Sequence, residues 1–427
     1  MTTEEVRIEK LVHGGQGIGL WPDGRKVFVW NALPGELVSA YAYKKKKGYL
    51  EAVAVDILEP STIRVEPVEM NVYLSTSPWQ ILDINEELRQ KTVITAELFA
   101  REKIELKLLQ PAYSDMNEYG YRNKMEFSFW WDHEKGICPA FHKRGSKNRI
   151  VVDGSALAAE PINQHLQTAV RALNKSGFQA RPLKSAIIRS EHSGKSVSAW
   201  FVKDVQEGKA LVALLSTTGL EFEVWFSNPK SPASVATKMI HKTENTQLQD
   251  TVLGCDYSYD VKGFFQVNLP VHEQTLLDMK PLIEPEVPLL DMYCGVGSIG
   301  LSLASEDQPL RLVEVDEHSI EYAKMHAEGR INTEVIHSTS EMALDYIETD
   351  QTLILDPPRA GLHSKVVERI NEVKPQRILY VSCNPATQAR DVALLAPNYT
   401  VNLAKVYDYF PKTPHIETLI VLDRLGL

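Results

Sequence analysis

LLDMYCGVGSIGLSLA, residues 289–304, is the stretch on which the fold turns. It opens with an apolar run of the kind found in strands buried on both faces, and Gly295, Gly297 and Gly300 follow in the spacing G-x-G-x-x-G. Glu314 stands about 20 residues after the glycines, at the end of the next apolar run. Glycines at such a turn allow a tight bend and close backbone approach to a ligand, and the carboxylate can accept hydrogen bonds from ribose hydroxyls. On this loop alone a dinucleotide and S-adenosylmethionine are both admissible. Asp291, four residues before the first glycine, favours S-adenosylmethionine, because an acidic side chain there can meet the methionine ammonium. NAD is the second reading.

Outward from this loop the chain alternates. Apolar runs at 288–293, 310–315, 352–355 and 376–381 are separated by helical stretches, the rhythm of a doubly wound parallel sheet. The end breaks it: YTVNLAKVYDYF (399–410) and HIETLIVLDR (415–424) are two strands joined by a short proline-containing loop, an expected antiparallel hairpin at one side of the sheet. Sheets that close in this way point again to S-adenosylmethionine. TLILDPPRAGLH (352–363) puts Asp356 at a strand's mouth before two prolines that delay any helix, so its carboxylate should face the crevice between cofactor and substrate. Arg359 in that loop reads equally as a phosphate ligand or a surface side chain. ILYVSCNPATQARD (378–391) places Cys383 between a strand's carboxyl end and a helix started by Asn384-Pro385. There the helix dipole is expected to lower its pKa and make it a nucleophile; the competing reading is a small buried hydrophobe.

Before residue 262 the pattern is different. Residues 1–60 read as short strands, with Pro22-Asp23-Gly24 as a hairpin turn and Lys44–Lys47 in a second one, suggesting an OB-type barrel. A helix is expected near 80–106, followed by mixed strands and helices to about 260. At 427 residues the chain has material for two to four domains. Its net charge of −10 argues mildly against a general nucleic-acid coat protein without excluding RNA, since the charge that matters is local. The cysteines at 138, 255, 294 and 383 have no C-x-x-C spacing, so no zinc site or disulfide framework is expected. With no apolar run near the roughly 18 residues of a membrane span and no secretion signal, a cytoplasmic protein is expected, without membrane contact and monomeric.

Taken together, GFFQVN (263–268), DMYCGVGSIG (291–300), DPPRAGL (356–362), YVSCNPATQARD (380–391) and PHIETLIVL (414–422) resemble the RNA 5-methyluridine (uracil-C5) methyltransferase family. The resemblance implies three regions: an N-terminal TRAM-like OB β-barrel over 1–60, a central α+β RNA-binding region over 61–260, and a C-terminal α/β Rossmann-like S-adenosylmethionine-dependent catalytic domain over 261–427. It makes Cys383 the nucleophile, Glu417 the general base, and Gln266, Tyr293, Glu314 and Asp356 cofactor ligands beside Asp291, Gly295 and Gly297. Uracil C5 becomes nucleophilic only after a thiolate adds at C6, so the chemistry needs a cysteine, a donor at O4 and a carboxylate base. Gln266 and protonated Asp356 both qualify as the donor; Cys294 is the rival nucleophile but sits in the cofactor loop. For RNA, either tRNA or ribosomal RNA, the candidate contacts are Lys44, Lys45, Lys46, Arg122, Lys124, Lys143, Arg144 and Arg359, with Lys147 and Arg149 in the same basic stretch. Many relatives carry an iron–sulfur cluster, but RVEPVEMNVYLSTSPWQ (64–80) and VVDGSALAAEPIN (151–163) contain no cysteine. No such cluster and no metal is therefore expected, and the central region should be held by packing alone. A NAD-linked oxidoreductase would leave the Cys383 and Asp356 loops unexplained. A non-catalytic RNA-binding protein with a decayed methylase domain conflicts with the complete motif set.

Overall fold

The structure is a computed structural model that describes residues 3–146 and 148–426. The chain packs as two compact units. One joins the chain up to Asp83 with Asn117–Asp250 and Asp260–Lys262; the other joins Ile84–Met116, Thr251–Tyr259 and everything from Gly263.

In the first unit, strands Glu4–Leu11, Gly17–Leu20, Lys26–Trp30, Tyr49–Glu59 and Leu37–Lys46 close into a barrel in that order. Val6, Ile8, Val27, Val29, Val38, Ala40, Leu50 and Ala52 fill it, inward at every second position as a half-buried strand requires. Gly19 is needed where strands cross closely: a Cβ there would lie 2.4 Å from the Arg7 carbonyl oxygen. The rest of this unit is a seven-stranded mixed sheet in which Lys124–Asp132 and Leu183–Ser190 are central. Helices Glu160–Ser176 and Val205–Leu215 cover one face around Phe127, Phe129, Trp200 and Phe222.

Packing alone does not hold the cysteine-free stretch, which corrects that expectation. Glu69 accepts from the Ala156 amide (2.9 Å) and from Gln80 Nε2 (2.9 Å), while Gln80 Oε1 accepts from the Glu69 amide and its Nε2 also donates to Ser77 Oγ (2.7 Å). A buried acceptor and amide that satisfy one another replace solvent and tie residues 69–80 to the start of the helical layer. Arg64 adds a two-pronged contact to Glu36, whose side chain is fully enclosed (2.6 and 2.8 Å).

In the second unit eight strands run in the order Thr333–His337, Leu310–Glu314, Leu289–Met292, Thr352–Leu355, Arg377–Ser382, Glu417–Arg424, Tyr399–Tyr407, Leu109–Tyr113. The first five are parallel; Glu417–Arg424 is antiparallel to both of its neighbours. The hairpin is where its sequence pattern put it, but Leu109–Tyr113 lies outside it, adding an edge strand from far upstream in the chain. The helix Ile84–Arg101 packs in this unit too, with Phe99 in the core beneath the sheet. Its Lys91 is wholly buried, donating to Asp408 Oδ1 (2.5 Å) and the Phe410 carbonyl (3.2 Å) and lying 2.8 Å from Glu87. Among the described residues no helix is long and apolar enough to cross a membrane.

Candidate active site

The order of the parallel strands reverses at Leu289–Met292: the chain moves first to the strand on one side, Leu310–Glu314, and later to that on the other, Thr352–Leu355. A crevice opens outside the carboxyl ends of strands at such a point. The turn that follows is built from left-handed backbone, with Tyr293 at φ 67°, Gly295 at 57° and Gly297 at 87°. A tyrosine held there is strained, a state that persists only where the surroundings fix it. Gly300 packs so tightly that a Cβ would sit 2.8 Å from Leu312 and 2.9 Å from Asp291 Oδ2.

The two acids frame this turn. Glu314 Oε2 accepts from the Gly295 amide (2.9 Å), and Oε1 from the Val315 and Asp316 amides (2.8 and 2.7 Å), which leaves a half-buried carboxylate fixed at the rim with lone pairs to spare. Asp291 lies beneath the loop, fully buried. Its Oδ2 accepts from the Gly300 amide (2.8 Å) and its Oδ1 has no partner. Burial pushes this carboxyl up to about 8, with Asp356 and Glu314 adding to the rise. Cys294 is also buried in this turn, and desolvation drives its thiol well above the usual range, so it is a poor nucleophile. Gln266 is half-buried in the segment before helix Leu269–Met279, next to Phe265, which stacks on Tyr259 at 4.3 Å.

Cys383, Glu417 and Asp356 converge at neighbouring strand ends. Ser382 pairs with Thr418, which sets Cys383 beside Glu417, and Leu355 pairs with Tyr380, which brings up Asp356 from the other side. Thr418 Oγ1 donates to Gln388 Oε1 (2.6 Å) and Gln388 Nε2 to the Tyr380 carbonyl (2.9 Å), binding the cysteine loop to the Glu417 strand. The Asn384 side chain caps helix Pro385–Leu395 as its sequence suggested. The expected lowering of the Cys383 thiol does not follow. Burial, then Glu417, then Asp356 push it up to about 11, and Arg359 opposes them. Burial of the thiol and two neighbouring carboxylates outweigh one helix end, whose field falls off within a turn. Burial likewise lifts Asp356 to about 7 and Glu417 well above the carboxylate range.

Arg359 is the cation of this cluster, a place the sequence did not assign it. Its carbonyl accepts from Asn384 Nδ2 (2.9 Å) and Thr387 Oγ1 (3.2 Å), and its guanidinium donates to His415 Nδ1 (3.3 Å). The loop that carries it is anchored by Asp391, which accepts from the Leu362 amide and Tyr380 hydroxyl, both at 2.8 Å. No signal in the sequence marked Asp391 or Gln388.

Several expected RNA contacts are engaged within the first unit. Lys124 donates to the Lys262 carbonyl (2.7 Å), and burial lowers its ammonium to about 7. Arg144 lies 3.9 Å over the Trp30 ring and donates to the Leu74 carbonyl (2.5 Å). Lys44 pairs with Glu51 (2.9 Å) and Arg122 and Arg149 are half-buried. Lys45, Lys46 and Lys143 are exposed, and Lys147 lies outside the described residues.

Residues 84–425 match the family model described as tRNA (uracil-5-)-methyltransferase, and residues 2–55 match that of the TRAM domain. The chain is 29% identical to an uncharacterized RNA methyltransferase of Thermosynechococcus vestitus, with 98% of each chain covered. It is 30% identical to one of Chlorobaculum tepidum, covering 95% of this chain and 93% of that one. The tRNA (uracil-54, C5)-methyltransferase of Pyrococcus abyssi, solved in complex with S-adenosyl-L-homocysteine, superposes with a TM-score of 0.78 at 22% identity, covering 98% of this chain and 100% of the other. That last likeness is one of fold.

Proposed function

The chain belongs to the tRNA (uracil-5-)-methyltransferase family, and from that premise we propose that it methylates C5 of a uridine in RNA through a covalent bond between Cys383 and C6. The observation that carries the reading is the pairing of Ser382 with Thr418, which sets a thiol and a carboxylate side by side at the mouth of the crevice. S-adenosylmethionine, when bound, supplies the methyl group. Its site fits the residues present: Glu314 is fixed at the rim with acceptor capacity for ribose hydroxyls, and the orphaned Oδ1 of Asp291 suits a cationic group at this loop. Gln266 and Tyr293 complete that site.

The Cys383 thiol loses its proton to water, leaving Glu417 free for the later step, and its sulfur adds to C6, moving the ring electrons toward C5 and O4. Asp356, raised to about 7 and so partly protonated near neutrality, donates a hydrogen bond to O4 as charge gathers there. C5 takes the methyl group. Glu417 then removes the C5 proton; the returning electrons restore the C5–C6 double bond and expel the Cys383 thiolate. A carboxyl held well above its ordinary pKa is a stronger base once ionised, which suits this step. The target uridine must leave its stack to reach the crevice. The RNA is a tRNA or a ribosomal RNA, held in part by the exposed lysines of the barrel hairpin, and the reaction runs in the cytoplasm.

The test is nucleoside mass spectrometry of RNA from cells with and without the gene, together with single turnovers on that RNA. Cys383→Ala should abolish 5-methyluridine while binding cofactor normally. Glu417→Gln should methylate once and remain attached to RNA on a denaturing gel. A Cys383→Ala protein that still methylates would refute the covalent route.

A further inference from the structure

His326, the last residue of helix Glu317–His326, bridges the cofactor loop and a separate strand with two hydrogen bonds. The Ser258 amide donates to its Nε2 (2.8 Å), and its Nδ1 lies 2.9 Å from the Val296 carbonyl oxygen. A backbone amide can only donate, so Nε2 is the bare nitrogen and Nδ1 carries the hydrogen that reaches Val296. Val296 sits between Gly295 and Gly297, whose left-handed backbone leaves this carbonyl no strand to pair with. Ser258 belongs to strand Cys255–Tyr259, which is tied to the same region by the Tyr257 hydroxyl on Ser302 Oγ (2.7 Å). The ring is steadied edge-on by Tyr257 at 5.1 Å and lies nearly parallel to Tyr322 at 6.2 Å. The strand's last residue, Tyr259, stacks on Phe265, the neighbour of Gln266.

We infer that His326 is a positioning residue that fixes the glycine loop relative to strand Cys255–Tyr259 and the Phe265–Gln266 pair beside it, so that the two walls of the cofactor site are set before the cofactor arrives. The inference rests on the methyltransferase reading above. Only a neutral imidazole with hydrogen on Nδ1 does this, since it must donate to a carbonyl on one side and accept from an amide on the other. The residue touches neither cofactor nor uracil, so its loss weakens cofactor binding without altering the chemical step.

The experiment is titration of the full-length protein with S-adenosylhomocysteine, with kinetics at saturating RNA, for His326→Phe and His326→Asn. Phenylalanine keeps the contacts with both tyrosines and removes both hydrogen bonds; asparagine can still donate to Val296. For His326→Phe we expect Kd and the cofactor KM to rise about tenfold, the factor equivalent to one net hydrogen bond, with kcat within about twofold of wild type. His326→Asn should recover most of the lost affinity. Unchanged affinity in His326→Phe, or a fall in kcat with Kd intact, would overturn the assignment. So would equal losses in the two variants, because a purely structural role gives asparagine no advantage. If the wild-type protein itself fails to bind S-adenosylhomocysteine, the methyltransferase reading falls, and this inference with it.

Discussion

A thiol at about 11 beside two carboxylates is mostly protonated at neutral pH, so the free enzyme keeps Cys383 quiet. The sign of each neighbour is fixed by charge. A carboxylate disfavours the thiolate, so Glu417→Gln should lower the Cys383 pKa; a guanidinium favours it, so Arg359→Ala should raise it. Iodoacetamide alkylation followed by mass spectrometry on the Cys383 peptide reads this without RNA. In the wild type the rate should climb about tenfold per pH unit from 7 to 10 without levelling, as expected for a thiolate nucleophile below its pKa. Glu417→Gln should react faster at pH 8 and level off earlier, and Arg359→Ala should react more slowly. A wild-type plateau below pH 8 would restore the helix-dipole picture. Residue identity could not reveal this balance: the motif named Cys383, Glu417 and Asp356, but that they stand together at neighbouring strand ends depends on strand register.

The loop from Asp356 to Leu362 shows how an element holds reacting groups still. Gly361 stands at φ 80°, and a Cβ there would lie 2.5 Å from Asp391 Oδ2 and 2.6 Å from Arg390 Nη2, the groups that anchor the loop. Gly361→Ala should therefore cost about 2 kcal/mol in urea unfolding, from strain and displaced hydrogen bonds, and lower kcat more than it raises the cofactor KM. An alanine variant with wild-type stability and kcat would show that the loop adapts. The central parallel strands were legible because both faces are covered: Leu289–Met292 and Thr352–Leu355 are buried at every position and read as apolar runs. Thr333–His337 and Leu109–Tyr113 were not: each is a half-exposed edge strand, the first mixing polar with apolar residues and the second interrupted by Pro111. Sequence alone makes Lys124 and Arg144 candidate RNA contacts, because a basic residue looks the same there whether its head meets solvent or a backbone carbonyl of the fold.

For the whole molecule the structure divides the basic side chains into exposed ones and ones already engaged within the fold. Replacing Lys45 and Lys46 together by alanine should flatten the dependence of log affinity on log salt by about 1.5, from two lost phosphate contacts, and leave the melting temperature alone. Arg144→Ala should do the opposite, lowering stability by roughly 1–2 kcal/mol through its lost place on Trp30 while the salt slope holds. Filter binding across a salt series separates the two; a slope change confined to Arg144→Ala would reverse the assignment. The buried Lys91 bears on a different matter, the order of events on the ribosome. Its partner Asp408 is 317 positions further along. At about 5–20 residues per second, that partner emerges on the order of 16–60 s after the helix that needs it. Throughout that interval the nascent helix Ile84–Arg101 waits undocked, its lysine and Glu87 kept in water. Their charge gives it the solubility that an all-apolar face would lack, at the very positions where the finished protein hides them.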